Sequence, residues 1–125
     1  MALVTCDMGV STDGYVAGPN QSLEHPLGEG AERLRRWMFE RADENAAEIA
    51  EIVAAGEKVI AIAGGASTVR QYFAAGLIDV LRLHIAPVVL RAGAPLLAGL
   101  DDVRLEQVNS VERELVTHVT YRVMR

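Results

Sequence analysis

The stretch Val59-Ile60-Ala61-Ile62-Ala63-Gly64-Gly65-Ala66-Ser67-Thr68-Val69-Arg70-Gln71-Tyr72 constrains the fold more than any other part of this chain. Five consecutive apolar residues suit a strand covered on both faces, the glycine pair permits a tight turn, and Ser67 or Thr68 can cap a following helix. The helix buries Val69, Tyr72 and Phe73 on one face and stops at Gly76, after which the apolar run Leu77 to Pro87 supplies a second strand. Strand, helix and strand in one sheet make a parallel, right-handed unit, so the fold class is α/β. The free amides at the helix start, together with the positive end of its dipole, suit a phosphate group. The same glycines serve equally to pack a helix closely on a strand, and the third glycine of the dinucleotide fingerprint is absent. Both readings stand on this stretch alone.

A chain of 125 residues is expected to form one domain, 1–125, that buries about two-thirds of its unfolded surface. With 50% hydrophobic and 23% charged residues it is globular, and with one Trp, two Phe and three Tyr its core is aliphatic. A net charge of −5, with no basic cluster longer than Arg35-Arg36, speaks against nucleic-acid binding and for small-molecule ligands. Cys6 is the single cysteine, which leaves no intramolecular disulfide and no cysteine-based metal site; its apolar neighbours predict a buried thiol. No window approaches the ~18 apolar residues of a membrane span, and no charged segment leads into a long apolar one, so a cytoplasmic location is the default expectation.

From the start, Ala2 to Val10 reads as a strand, Ser11-Thr12-Asp13-Gly14 as a turn with Gly14 at positive φ, and Tyr15 to Ala17 as extended chain again. Asp13 either bonds nearby backbone amides in an Asx-type turn or faces a ligand beyond the strand end. Gln21 to Gly30 is a loop able to act as a lid, with His25 and Glu29 its titratable members. A helix starts near Ala31 and buries Leu34, Trp37 and Met38. Asp43 or Asn45 can cap a second helix, Asn45 with Glu48 forms a capping-box pattern, and Gly56 ends that helix. In the strand near Leu81 to Ile85, alternation with Arg82 and His84 predicts one buried and one wetter face. Val88 to Leu90 extends it beyond Pro87, and Arg91 to Pro95 is a turn. Val103 to Val108 and Leu115 to Met124 read as an antiparallel pair joined by Asn109 to Glu114.

Several words in this order resemble the reductase family typified by the C-terminal domain of the bifunctional riboflavin-biosynthesis deaminase/reductase, of dihydrofolate-reductase-like fold. They are Met8 through Pro19, Pro26-Leu27-Gly28 through Trp37-Met38-Phe39, Gly64-Gly65-Ala66-Ser67-Thr68 through Gly76-Leu77-Ile78-Asp79, and Leu83 through Leu90. The resemblance implies a mixed sheet flanked by helices with a C-terminal antiparallel hairpin, and NADPH-dependent reduction of a small, often heterocyclic, substrate. Carried onto this chain, it implies that Gly64, Gly65, Ala66, Ser67 and Thr68 hold the cofactor pyrophosphate. Ser11 and Gly14 would then lie near the nicotinamide, with Asp13 as an orienting or proton-handling catalytic group.

The family carries further strands and helices, including a Gly-Arg loop, between its first helices and the Gly-Gly strand; this chain passes from Phe39 to Gly64 with room for little more than one short helix. Val80 stands where an acidic residue is common, and Arg91-Ala92-Gly93 departs from a glycine-richer turn. A sheet with a reduced number of strands exposes edges that another subunit must cover, so a homo-oligomer, most simply a dimer, is expected. The alternative to an NADPH-dependent reductase is a non-catalytic shortened domain that binds a phosphate-bearing metabolite or only self-associates.

Overall fold

The structure is a computed structural model that describes residues 4–25, 28–54, 66–98 and 103–124. The expected strand Val59 to Ala63, the Gly64-Gly65 turn and the Gly56 helix stop lie outside them. Strand β1 (Thr5–Ser11) lies parallel to β3 (Val80–Ala86), with Cys6 opposite Leu81 and Gly9 opposite His84. β3 pairs antiparallel with β6 (Thr117–Met124), and β6 with β5 (Arg104–Glu112), so the order among the described residues is β1-β3-β6-β5. A separate two-stranded ribbon joins β2 (Tyr15–Ala17) to β4 (Ala94–Pro95). This is the expected α/β architecture: a mixed sheet, flanking helices and a C-terminal antiparallel hairpin.

The two-residue period of a strand sends Cys6, Met8 and Val10 of β1 to one face of the sheet and Asp7, Gly9 and Ser11 to the other. The first face is apolar. It packs with Leu81, Ile78 and Leu96 and with Val69 and Phe73 of α3 (Ala66–Ala74) in one core cluster. Cys6 lies fully inside it, and burial, with the Asp7 charge adding, pushes its thiol up to about 12, so it stays protonated and unreactive. After α3, Gly76 adopts φ 71°, its N–H donates to Phe73 O and that of Leu77 to Tyr72 O, both at 3.0 Å. That is the Schellman stop its glycine predicts. Asp79 then ties the two parallel strands together at their starts, its Oδ2 accepting from Val4 N at 2.8 Å.

The second face is covered by residues 31–54. The single helix expected near Ala31 is two pieces, a 3₁₀ turn at Ala31–Arg35 and α1 (Arg36–Glu40), and together they bury Ala31, Leu34 and Trp37. This segment passes over Gly9, where a Cβ would stand in ordinary van der Waals contact, 3.9 Å from Leu34 O. α2 (Ala46–Ala54) follows. Among its described side chains Ile49 and Ile52 are half-buried, whereas Glu48 and the preceding Asn45 are buried. The side-chain groups that a capping box would use are engaged elsewhere, Asn45 Oδ1 at 2.7 Å from His118 Nε2 and Glu48 Oε1 with Arg113 at 2.9 Å.

Three further expectations are corrected. β3 has no wet face: His84 is 5% exposed, because residues 31–54 cover the side of the sheet that alternation alone leaves open. Val88 to Leu90 does not prolong the strand. The connection between the last two strands is only Arg113 to Val116, closed by Arg113 N–H donating to Val116 O at 2.8 Å. Asn109, Ser110 and Glu112 belong to β5 itself, in which only Leu105 and Val111 are partly buried, so polar side chains are accommodated along the rest of the strand; a bulge at Val108 interrupts its register. Among the described residues no helix is long and apolar enough to cross a membrane.

Candidate active site at the carboxyl end of the parallel strands

β1 ends at Ser11 and reverses through Thr12, Asp13 and Gly14 into β2. Gly14 N–H donates to Ser11 O at 3.0 Å, and its φ of 91° lies in the left-handed region that favours glycine. Ser11 is buried; its Oγ donates to Asp13 Oδ1 at 2.5 Å and accepts from Tyr15 N at 2.9 Å. Asp13 also accepts from the amides of Leu90 at 3.1 Å and Arg91 at 2.8 Å. The Ser11 hydroxyl first, then the Arg91 and Leu90 amides, outweigh a desolvation penalty and hold the carboxyl down at about 2. Asp13 therefore takes the amide-binding role of the two open to it, with amides supplied by the distant segment after β3 in place of its neighbours. Thr12 adds to the same junction, its N–H donating to Val88 O at 2.8 Å and its Oγ1 to Ala86 O at 2.9 Å.

The start of α3 belongs to the same end of the molecule. Arg70, in its second turn, donates from Nη1 to Pro95 O at 3.0 Å; Pro95 pairs with Tyr15, and Leu96 N–H donates to Gly14 O at 3.0 Å. Ala66, Ser67 and Thr68 form the first turn of α3, while Gly64 and Gly65 lie outside the described residues. A Cβ on Gly14 would meet nothing within 4 Å, so this turn borders open space. Ser11, Asp13 and Gly14 are thus brought together, and the N-terminal half of α3 is brought towards them.

Beside Thr12 a cleft of about 240 Å³ is lined by Ala86, Pro87, Glu112, Arg113 and Thr117. Sequence reasoning missed Arg113 here, since only the shorter β5–β6 turn carries it to the strand ends. A second cleft, of about 520 Å³, lies between the loop at Glu24 and His25 and the α1 residues Arg36, Phe39 and Glu40. It touches none of the predicted site residues. The loop expected to act as a lid is held at its base, where Glu29 N–H donates to Pro19 O at 2.9 Å and Asn20 Nδ2 to Glu29 Oε1 at 3.1 Å. Among the described residues no group of three His, Cys, Asp or Glu side chains is placed to hold a metal ion.

A family model, the RibD C-terminal domain, matches residues 44–119, more than half of the chain. The chain belongs to this family. The matched span includes Gly64 through Thr68 and leaves out the Ser11 to Gly14 turn. Among solved structures, the chain is similar over its full length, and over all of the other chain, to a protein assigned to riboflavin biosynthesis from Shewanella sp. PV-4, with 18% identity and a TM-score of 0.61. It is also similar to the riboflavin biosynthesis reductase Rib7 of Saccharomyces cerevisiae, with 12% identity, 99% of this chain and 89% of that one covered, and a TM-score of 0.58. At these identities the likeness establishes the family's dihydrofolate-reductase-like fold. No curated protein matches the sequence.

Proposed function

We propose that this chain is an NADPH-dependent oxidoreductase acting on a small, heterocyclic substrate, with its site at the carboxyl end of β1. The observation that carries this reading is the convergence of the Ser11 to Gly14 turn with the N-terminal half of α3 through the Arg70–Pro95 and Leu96–Gly14 hydrogen bonds. Two features support this cofactor: in the sequence two glycines precede α3, a pattern that suits backbone donors to a pyrophosphate, and in the structure Gly14 keeps the turn clear of any side chain. Gly64, Gly65, Ala66, Ser67 and Thr68 would hold the pyrophosphate.

The bound cofactor supplies the hydride, and the protein supplies placement and electrostatics. Ser11 and Asp13 act as positioning residues in this reading. Their side chains satisfy one another and the 90–91 amides, so they fix the turn, and Gly14 with it, rather than carry a proton. That same engagement, with a cleft smaller than the ~300 Å³ lower bound of common ligand pockets, favours the second reading, a domain that binds a phosphate-bearing metabolite without turnover. A cytoplasmic homodimer is the form in which we propose the chain works, the partner covering exposed sheet edges.

Titration with NADPH, followed by nicotinamide fluorescence, tests the proposal. Binding below millimolar concentration is expected, and its absence sinks the reductase reading. Gly65→Asp should abolish binding by placing a carboxylate against the pyrophosphate; retained binding would mean that the glycine pair is purely structural. Mass measurement in solution checks the dimer, and a stable monomer contradicts it.

A further inference from the structure

A hydrogen-bonded chain crosses the second face of the sheet beneath Trp37, away from the site above. Arg82 grips Asp7 with two contacts, Nε to Oδ1 at 2.7 Å and Nη2 to Oδ2 at 2.6 Å, and reaches Glu51 of α2 with Nη1 at 3.0 Å. His84 Nε2 lies 3.0 Å from Asp7 Oδ1, and His84 Nδ1 lies 2.7 Å from His118 Nδ1. His118 Nε2 lies 2.7 Å from Asn45 Oδ1 and 3.5 Å from Glu48 Oε1. Both histidines and Asn45 are buried. Among the charged groups around the pair, Asp7 comes from β1, Arg82 from β3, Glu48 and Glu51 from α2 and Arg113 from the β5–β6 turn; the Arg41–Glu114 ion pair, at 2.9 Å, joins the link between α1 and α2 to the same turn.

The partners fix where the protons are. Asn45 Nδ2 points at two carbonyls, Arg41 O at 2.8 Å and Trp37 O at 3.5 Å, which sets the amide orientation and leaves Oδ1 towards His118. His118 Nε2 must therefore carry hydrogen. Asp7 is a carboxylate: burial alone would raise its pKa, but hydrogen bonds from His84 and Arg82 and their charges hold it below the ordinary value. It can only accept, so His84 Nε2 also carries hydrogen. The two Nδ1 atoms face one another at hydrogen-bond distance, and a single proton must serve both. Three protons on four nitrogens make one imidazole and one imidazolium. With that one positive charge, Arg82 and Arg113 balance Asp7, Glu48 and Glu51.

We propose that His84 and His118 share one proton between their Nδ1 atoms and form a proton-gated latch that fastens residues 37–48 to the sheet. A second proton removes the acceptor, sets two imidazolium rings against each other in a buried site, and releases the latch. Burial first, and the His84 charge next, hold His118 at about 4, so it stays neutral at pH 7 and the single-proton form persists well below that. Trp37 reports the state directly. Its ring stacks on His84, centroids 5.2 Å apart, and meets His118 edge-on at 4.8 Å, and it is the only tryptophan.

Histidine side-chain ¹⁵N–¹H correlation spectra of the full chain from pH 7.5 to pH 4, read beside Trp37 fluorescence, test this, with exposed His25 as internal reference. At pH 7 we expect His118 as the neutral Nε2–H tautomer, His84 protonated on both nitrogens, and a Trp37 transition coincident with uptake of the second proton. Two neutral rings, two charged rings, or an Nδ1–H tautomer of His118 at pH 7 overturns the proposal, as does second-proton uptake that leaves Trp37 unmoved. His118→Phe should abolish the Trp37 transition, and its persistence in a folded variant overturns the latch. The tautomer measurement on the native chain decides the question without any variant.

Discussion

Lowering the pH from 7 to 5 should remove a predictable amount of this fold's stability through His118. Its folded pKa of about 4 lies below the ordinary 6.5, the case of a base that burial keeps neutral. The unfolded chain therefore binds more protons over this interval, and stability falls as pH falls. The contribution is complete above the unfolded value, is lost as pH drops through the window from 6.5 to about 4, and is gone below it. At 1.36 kcal/mol per unit the whole window is worth about 3 kcal/mol. The part spent between pH 7 and pH 5 is about 2 kcal/mol, a large share of the 5–15 kcal/mol typical of a domain. In urea denaturation, with a slope of roughly 2 kcal/mol per molar, His118's share of the midpoint shift is about 1 M downward. His118→Phe, measured at the same pH values, lacks that share, so the native chain should lose more stability than the variant over this interval. Asp7 is also held low, but its contribution is lost only as pH falls through the carboxylate range, and taking the difference between the two chains removes what other groups contribute. Equal losses in the native and His118→Phe chains would refute the reasoning.

Asp7→Asn should destabilise by about 3–5 kcal/mol at pH 7, the usual cost of leaving a buried partner unpaired, because Arg82 and His84 both lose their carboxylate; thermal or urea unfolding measures it. Gly18→Ala should cost roughly 1–3 kcal/mol, since the new Cβ would stand 1.8 Å from Glu29 O and force backbone to move; a variant as stable as the native chain would show that the loop base is not as close as described. Asp13→Asn should speed hydrogen exchange at the Leu90 and Arg91 amides, which now donate to the carboxylate, and unchanged protection there would show that the clamp does not hold the segment.

The parts of this fold written in local pattern were legible. Val69 and Phe73 announce the buried stripe of α3, Gly76 its stop, and Gly14 the turn after β1, because each depends on spacing or backbone angles within a few residues. Groups that meet only across the sheet were not. His84 looks solvent-facing beside Arg82, and nothing near it indicates that β6 places His118 opposite, or that Asn45 completes the chain from 73 residues away. The one signal was Asp7, a carboxylate within an apolar first strand, which needs a buried cation and finds it in Arg82. The site was half legible for the same reason. Ser11, Asp13 and Gly14 form one local word, whereas Thr12 and Arg113 share a cleft only after the hairpin has folded back.

The two faces of the sheet set different things. Cys6, Met8, Val10 and Leu81 against α3 give non-directional burial, about 1.5–3 kcal/mol for a large side chain, and tolerate small shifts. The other face gives direction. α1 has five residues and α2, among the described residues, nine, too short to hold as isolated helices, and the packing of the Trp37 ring on the histidines, with the hydrogen bonds from Asn45 to His118 and onward to Asp7, fixes where they lie. The same contacts fix register, because Asp7 sits directly opposite Arg82, and a slip by one residue would turn the carboxylate into the apolar face. Four residues further along β1 that register sets Ser11 opposite Ala86, from which Thr12 reaches Val88 and Asp13 reaches the Leu90 and Arg91 amides. The buried proton-sharing chain and the turn at the candidate active site are therefore two ends of one alignment: whatever loosens Asp7 from Arg82 and His84 should also loosen Asp13 from its amides.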